Sequence, residues 1–329
     1  MQLLFLNVNY IVSGGAGYLG AHLVYSLLEE GHKITIFDDL SRAPRQPMPS
    51  PVEFVNLDIS DGSAMERIRF TKRIDGFFHL AAKKSVNESM LNPALYEQVN
   101  VVGTQNILNL CLRNEIEAVV LTSSAAVYGS LEKKEEILET DPTVPISPYG
   151  LSKLNAERML TKYVEEGSIK GAILRCFNLA GARESNLLDL HGENVIPILV
   201  KAINDEQTFK IFGNSLATPD GTCVRDYIHV EDVSMAHTKA MEKLQSAPSG
   251  YIDTFNIASK SGTSTLSLVK AFESLIGRRV QYQFDLPRKG DVEFSIGDNS
   301  KANKILNWTP KHGLDRIVKD SWEANLSSQ

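Results

Sequence analysis

Ser13-Gly-Gly-Ala-Gly-Tyr-Leu-Gly20 decides the fold. The apolar run Tyr10-Ile-Val-Ser13 leads into it as a strand. A helix period leaves it, from Tyr18 to Glu30, with Leu19, Leu23 and Leu27 on one stripe and Gly31 as the stop. Gly15, Gly17 and Gly20 satisfy G-x-G-x-x-G, and Gly14, Gly17 and Gly20 satisfy G-x-x-G-x-x-G. Glycines permit a tight turn and let a pyrophosphate reach the backbone at a helix N-terminus. The second strand, Lys33-Ile-Thr-Ile-Phe37, runs into Asp38, 18 residues beyond Gly20. A carboxylate there takes ribose hydroxyls and repels a 2′-phosphate, so the spacing points to NAD rather than NADP. The alternative is a glycine-rich structural turn beside a solvated Asp38-Asp39 pair.

Outward from this unit, short apolar runs alternate with helix-period segments. Glu53-Phe-Val-Asn56, Gly76-Phe-Phe-His-Leu80, Ala118-Val-Val-Leu-Thr122 and Gly171-Ala-Ile-Leu-Arg-Cys176 read as the third to sixth strands, with one helix from about Ala94 to Cys111. They are almost continuously apolar, as strands buried on both faces are. The alternation predicts an α/β fold, a Rossmann-type doubly wound parallel sheet. It weakens after residue 178. Shorter strands follow at Phe209 to Phe212, Tyr227 to Val230, Tyr251 to Ile257 and Val280 to Phe284. They read as a smaller C-terminal α/β substrate lobe. The expected division is a nucleotide lobe over 1–178, with later elements interleaved, and a mainly substrate-binding lobe over 179–329.

The 329 residues suit two fused lobes. Net charge is −6 and the basic residues are scattered, so no nucleic-acid footprint is expected. No apolar run approaches the roughly 20 residues of a membrane span. Met1 to Asn9 is apolar but lacks the basic start and small-residue cleavage site of a signal peptide. Cys111, Cys176 and Cys223 are odd in number and widely spaced. Neither a disulfide framework nor a zinc spacing follows, so a reducing compartment and no metal are expected.

Ser124, Tyr149 and Lys153 lie downstream of the glycine turn. In Ser147-Pro-Tyr-Gly-Leu-Ser-Lys153 a helix beginning near Pro148 puts the phenol and the ammonium on one face. A neighbouring cation favours phenolate and lowers a tyrosine pKa, which makes the phenol a usable base. The alternative is a helix start carrying an incidental i,i+4 pair. Asp58, after the third strand, is placed to meet an adenine. Leu80-Ala-Ala82 leaves room for a cofactor backbone. His79, inside the fourth strand, reads as a buried and satisfied core histidine.

These residues resemble the extended short-chain dehydrogenase/reductase superfamily and, within it, the UDP-glucose 4-epimerase family. The similarity runs almost end to end. It is carried by Gly14 to Gly20, His79 to Ser89, Ser123-Ser-Ala-Ala-Val-Tyr-Gly129, Ser147 to Lys153 and Phe177-Asn-Leu-Ala-Gly181. Most specific are Ile211 to Asn214, Asp220-Gly-Thr-Cys-Val-Arg-Asp-Tyr-Ile-His-Val230 and Pro287-Arg-Lys-Gly-Asp291.

The resemblance implies roles. Tyr149 is the base, Lys153 its electrostatic tuner and ribose anchor, and Ser124 a hydroxyl bridge to the sugar O4. Gly14, Gly17, Tyr18, Leu19, Gly20, Asp38, Asp58, Ile59, Leu80, Ala81, Lys84, Asn100 and Phe177 match cofactor contacts. Tyr149 and Lys153 belong to both sets. Asn178, Asn194, Phe212, Arg225, Arg288 and Asp291 match the positions that hold the nucleotide diphosphate. Lys84, Ser124, Tyr149 and Ser295 complete the substrate set. Guanidinium forks suit a diphosphate. Phe212 offers a stacking face for uracil, or is core.

The implied partners are a UDP-sugar and a second copy of the chain, in the cytoplasm. The implied reaction is C4 inversion of a UDP-hexose through a 4-ketose. A UDP-pentose 4-epimerase shares every motif, and a silent NAD-binding sensor shares the fold. In the related 4,6-dehydratases an Asp-Glu pair follows the hydroxyl residue. Here Ala125 and Ala126 follow Ser124 and transfer no protons.

Two departures stand out. Cys176 replaces the family's usual tyrosine near the nicotinamide. Ser295 falls on a pocket-wall position that is a large tyrosine in members restricted to glucose and galactose. It is small in members that take N-acetylhexosamines. The alternatives are a solvated loop serine, or a register in which Phe294 fills the wall.

Overall fold

The computed structural model describes residues 8–42, 51–131, 136–167, 169–184, 187, 189, 194–287 and 292–326. In chain order the first half comprises β1 (Asn9–Ser13), α1 (Tyr18–Glu29), β2 (Lys33–Asp38), β3 (Glu53–Asn56), α2 (Gly62–Arg67), β4 (Gly76–His79), α3 (Val86–Leu91), α4 (Pro93–Tyr96), α5 (Gly103–Arg113), β5 (Ala118–Ser124), α6 (Pro148–Glu165) and β6 (Lys170–Cys176). Then follow β7 (Asn178–Ala180), α7 (Val195–Asn204), β8 (Phe209–Phe212), β9 (Val224–His229), α8 (Val230–Ser246), β10 (Ile252–Ile257), β11 (Gly262–Ser264), α9 (Thr265–Ile276), β12 (Tyr282–Asp285), β13 (Phe294–Ser295), α10 (Ser300–Leu306) and α11 (Leu314–Leu326).

Among the described residues the central sheet has seven strands in the order β10-β6-β5-β4-β1-β2-β3, all parallel. This is the doubly wound α/β fold expected from the apolar strands. Its order reverses between β1 and β4, and ligands bind such sheets at the crevice beyond the strand ends there. One face of the sheet packs Leu23, Leu27, Val233, Ala236 and Met241 from α1 and α8. The other packs Ile107, Leu110, Ala156 and Leu160 from α5 and α6. β10 joins the central sheet beside β6, after three strands that lie outside it.

The smaller lobe has a sheet ordered β11-β9-β13, with β7 also on β9, and a β8–β12 pair. Its own core joins Leu199, Ile203, Ile211, Phe272 and Val318. Arg225 and Asp226 lie on β9, which starts three residues before the expected Tyr227. The strand expected over Val280 to Phe284 is Tyr282–Asp285.

The helix expected from Ala94 to Cys111 is not one regular helix. Residues Glu97–Val102 form a π-helical turn between α4 and α5. The wide turn brings Asn100 inward, where its amide donates to Lys83 O at 3.0 Å and Ser152 Oγ at 2.9 Å. Thr104 Oγ donates back to Asn100 O at 2.6 Å. Helical periodicity does not reveal such a turn, because the contacts that favour it are tertiary.

Candidate active site

The glycine turn sits between β1 and α1, at the sheet's reversal point. Gly14 has φ +73°, and a Cβ there would meet Ala81 N at 2.7 Å. A Cβ on Gly20 would meet Gly14 O at 2.0 Å. Both positions therefore require glycine. Gly17 caps α1 with no side chain bonded to the cap, leaving the helix N-terminus to a ligand. Asp38 ends β2 and braces the turn. Its carboxylate accepts from Ala16 N at 3.0 Å and from Leu40 N at 2.9 Å. Burial pushes its pKa up, against the pull of those two amides. The cradle closed to side chains and the carboxylate at its rim fit an adenine dinucleotide.

Around this cradle, Leu80 N donates to Ser13 O at 3.1 Å, which seats Leu80 and Ala81 beside the turn. Asp58 is exposed and accepts from Ser60 N and Oγ, both at 2.8 Å. The Ile59 side chain is 4% exposed in the core, so a cofactor could meet only its backbone. Leu19 likewise packs against the core. The Tyr18 hydroxyl donates to Gly181 O. His79 is buried between Ser13 Oγ and Thr104 Oγ, each at 2.9 Å, and burial drives its pKa down to about 3. It is the satisfied core histidine expected.

Beyond the next strands lies the hydroxyl cluster. Ser124 ends β5, opposite Cys176 at the end of β6. Ser147 caps α6 by accepting from Gly150 N at 3.1 Å, with Pro148 in the first turn. A serine cap followed by proline favours a helix start here. This sets Tyr149 in the first turn and Lys153 one turn on. The Ser124 hydroxyl stands close enough to the Tyr149 phenol to favour its ionised form. The Tyr96 ring lies edge-on to the Tyr149 ring at 6.3 Å.

The electrostatics correct one expectation. Burial raises the Tyr149 pKa, the Ser124 hydroxyl lowers it by less, and the Cys176 sulfur adds to the rise. Lys153 is 5% exposed, and burial pushes its pKa down to about 8, while Cys176 and Glu157 pull the other way. In the free protein desolvation therefore sets the direction of the tyrosine's shift, opposite to the one the lysine spacing suggests. Cys176 is buried and its thiol is pushed up to about 12 by that burial. Phe177 is buried against Tyr128, Leu154 and Ala258.

Lys84 and Asn194 are brought together by a residue not foreseen from the sequence. Asp189 accepts from Lys84 Nζ at 3.1 Å and from Asn194 Nδ2 at 2.6 Å. No local pattern marks Asp189; its contacts are with distant segments. Asn100 donates through its amide nitrogen to Lys83 O and Ser152, and accepts from Lys83 N at 2.8 Å. It acts on the loop that carries Lys84. Asn178 is exposed and donates to Asp226 O at 3.0 Å. Phe212 ends β8, half-buried. Arg225 is half-buried on β9 and donates to Val292 O at 2.7 Å. Ser295 pairs with Arg225 across β13 and β9, while Phe294 pairs with Val224. Ser295 is half-buried in a strand rather than in a solvated loop. Arg288 and Asp291 lie outside the described residues.

Known proteins carry the same arrangement. Residues 10–258 match the model of the NAD dependent epimerase/dehydratase family. The UDP-glucose 4-epimerase of Erwinia amylovora is 37% identical, over 98% of each chain. The structure of the UDP-glucose-4-epimerase from Stenotrophomonas maltophila, with bound NAD and formylated UDP-arabinopyranose, superposes with a TM-score of 0.91. It is 33% identical, over 98% of each chain. The UDP-Glc/GlcNAc 4-epimerase of Campylobacter jejuni gives a TM-score of 0.83 at 30% identity, over 97% of this chain and 99% of its own. The chain belongs to the NAD dependent epimerase/dehydratase family.

Proposed function

We propose that the protein is an NAD-dependent UDP-hexose 4-epimerase, interconverting UDP-glucose and UDP-galactose through a 4-keto intermediate. The carrying observation is the Ser124 hydroxyl beside the Tyr149 phenol, with Lys153 one turn along α6, across the sheet's reversal point from the glycine turn. NAD, when bound, supplies a reversible hydride acceptor. Tyr149 takes and returns the 4-hydroxyl proton. Ser124 steers that hydroxyl onto the phenol. Lys153, one turn along α6, supplies a positive charge to the site below about pH 8. Ala125 and Ala126 offer no acid or base for dehydration. Asn178, Asn194, Phe212, Arg225, Arg288 and Asp291 would grip the UDP half, leaving the hexose free to turn over within the pocket. Ser295 supports a sugar pocket wide enough for N-acetylhexosamines.

The proposed division is a nucleotide lobe over 1–178 and a mainly UDP-sugar-binding lobe over 179–329. A homodimer is supported by exposed apolar residues on the contiguous α3, α4 and α6: Met90 (61% exposed), Leu91 (81%), Leu95 (37%) and Leu151 (47%). Three buried cysteines, none of them in a disulfide, support a reducing, cytoplasmic setting. Among the described residues no helix is long and apolar enough to cross a membrane.

The test is incubation of the purified protein with UDP-galactose and no added dehydrogenase. UDP-glucose should form in wild type. Tyr149→Phe should cut turnover roughly 10²–10⁴-fold, the usual worth of a positioned acid/base. Unchanged UDP-galactose with NAD visibly bound would leave only a nucleotide-binding sensor. A panel adding UDP-N-acetylglucosamine and UDP-xylose identifies the preferred sugar.

A further inference from the structure

Away from the hydroxyl cluster, β9, α8 and the turn before α11 bring two histidines to one carboxylate. His229 ends β9 and its side chain is fully buried. Glu231 lies in the first turn of α8 and is half-buried, as is His312 in the turn before α11. The ring centroids of the two histidines are 4.6 Å apart.

The hydrogen bonds turn one nitrogen of each ring towards Glu231. His229 Nδ1 accepts from Glu231 N at 3.2 Å, so it carries no proton. Its Nε2–H therefore donates to Asp320 Oδ2 at 3.2 Å. His312 Nδ1–H donates to Asp232 Oδ1 at 3.0 Å, leaving its Nε2 for a partner on the other side of the ring. Asp232 is 3% exposed and also accepts from Lys311 N and His312 N, each at 3.0 Å, so the turn is held from within the fold.

Both of these nitrogens face Glu231. Its Oε2 lies 3.8 Å from His229 Nδ1 and 3.7 Å from His312 Nε2. The three acceptor atoms all lie within 4.8 Å of one another. Glu231 Oε2 is beyond hydrogen-bond distance of either ring nitrogen, and a cation between them would meet all three atoms. Metal-ligating imidazoles characteristically give their other N–H to a carboxylate, and both of these do so.

We propose that His229 Nδ1, Glu231 Oε2 and His312 Nε2 form a binding site for a divalent transition metal ion, zinc by the character of the donors. Zinc takes nitrogen and oxygen at about 2.0–2.2 Å, so tetrahedral neighbours stand about 3.4 Å apart. The half-exposed Glu231 and His312 close that gap by side-chain rotation, and water takes the fourth position. The ion replaces the Glu231 amide on the His229 lone pair. Arg183 lies 3.8 Å from Glu231 and Arg316 2.5 Å from Asp320. Glu231, Asp232 and Asp320 bring three carboxylates to the cluster against those two cations, so the added charge is not opposed overall.

The ion would tie the end of β9 and the start of α8 to the turn before α11. The same His229 ring packs on Gly181, where a Cβ would meet it at 2.3 Å. Gly181 O accepts the Tyr18 hydroxyl, so the site backs directly onto the nucleotide turn.

The test uses the full chain after dialysis against chelator. Titration with zinc chloride should show one equivalent bound. Cobalt(II) should give the visible absorption of a four-coordinate nitrogen and oxygen site. Zinc should raise the melting temperature, as any ligand of the native state does. His312→Ala and Glu231→Gln change half-exposed side chains. Each should weaken zinc binding by about 100-fold, the upper range for disturbing a metal's surroundings, and abolish the zinc-dependent rise in melting temperature. Absence of stoichiometric zinc or cobalt binding overturns the proposal, and the cluster is then an ordinary hydrogen-bonded network. Binding undiminished in both variants overturns it too, since the ion would then sit elsewhere.

Discussion

Arg175 grips Glu157 with two nitrogens inside the protein: Nη2 stands 2.7 Å from Oε2 and Nε 3.0 Å from Oε1. Both side chains are nearly solvent-free, at 9% and 5% exposure. Glu157 follows Lys153 by one turn of α6 and helps keep its ammonium charged. Removing one partner of such a pair leaves the other buried and uncompensated, at about 3–5 kcal/mol. Glu157→Gln should therefore lower unfolding stability by that order in urea titration and push the Lys153 pKa below 8. The double change Glu157→Leu with Arg175→Met should cost much less than the two single changes summed. Strict additivity would show that the pair does not act as a unit.

Lys153 titrates within reach of ordinary buffers, because burial pushes its pKa down to about 8. The charged form dominates below that value and the neutral form above it. If its ammonium anchors the cofactor ribose, NAD affinity should weaken as pH rises from 7 to 9. Isothermal titration on the cofactor-free protein reads this directly. In Lys153→Met the affinity should be lower and flat across the same window. A wild-type affinity that does not change with pH would remove Lys153 from cofactor binding.

Asp38 holds the glycine turn through Ala16 N and Leu40 N, so Asp38→Ala would remove a brace as well as a charge. Asp38→Asn separates the two effects, because the amide oxygen still accepts. Unit charges about 4 Å apart repel by about 1 kcal/mol even at the dielectric of water, and a 2′-phosphate carries more than one. The ratio of NADP to NAD affinity should thus rise roughly tenfold in Asp38→Asn. Equal binding of both cofactors by wild type would refute the carboxylate's selective role.

What could be read from the sequence was local. The strand–glycine turn–helix unit, Asp38 at a strand end, the Ser147-Pro148 helix start and the buried His79 all follow from short spacing and residue chemistry. What could not be read depends on burial or on distant partners. The Tyr149 and Lys153 pair was legible, but the direction of the tyrosine's shift was not. Spacing reports the lysine one turn on, and only the fold reports the desolvation that raises the tyrosine's pKa. The π-helical turn around Asn100, the Asp189 bridge between Lys84 and Asn194, and the Arg175–Glu157 pair join segments far apart in the chain. The same is true of His229 and His312, which no spacing rule connects.

Ser295 tests how far a single side chain sets the sugar range. It pairs with Arg225 across β13 and β9, and paired residues of neighbouring strands share a face of the sheet. If Arg225 holds diphosphate, the serine therefore stands on the same wall. Phe294 is turned to the opposite face and pairs with the buried Val224. An acetamido group at C2 needs volume that a phenol ring would fill, and close-packed walls do not absorb such a group without strain. A serine leaves that volume open and offers a hydroxyl to the amide. Wild type should therefore epimerise UDP-N-acetylglucosamine as well as UDP-glucose. Ser295→Tyr should abolish the first activity, with at most a severalfold effect on the second. Product analysis by chromatography of both reactions, at matched enzyme and saturating substrate, gives the ratio. Wild type inactive on UDP-N-acetylglucosamine would refute the open wall. A Ser295→Tyr protein that kept the activity would place the acetamido group against some other surface.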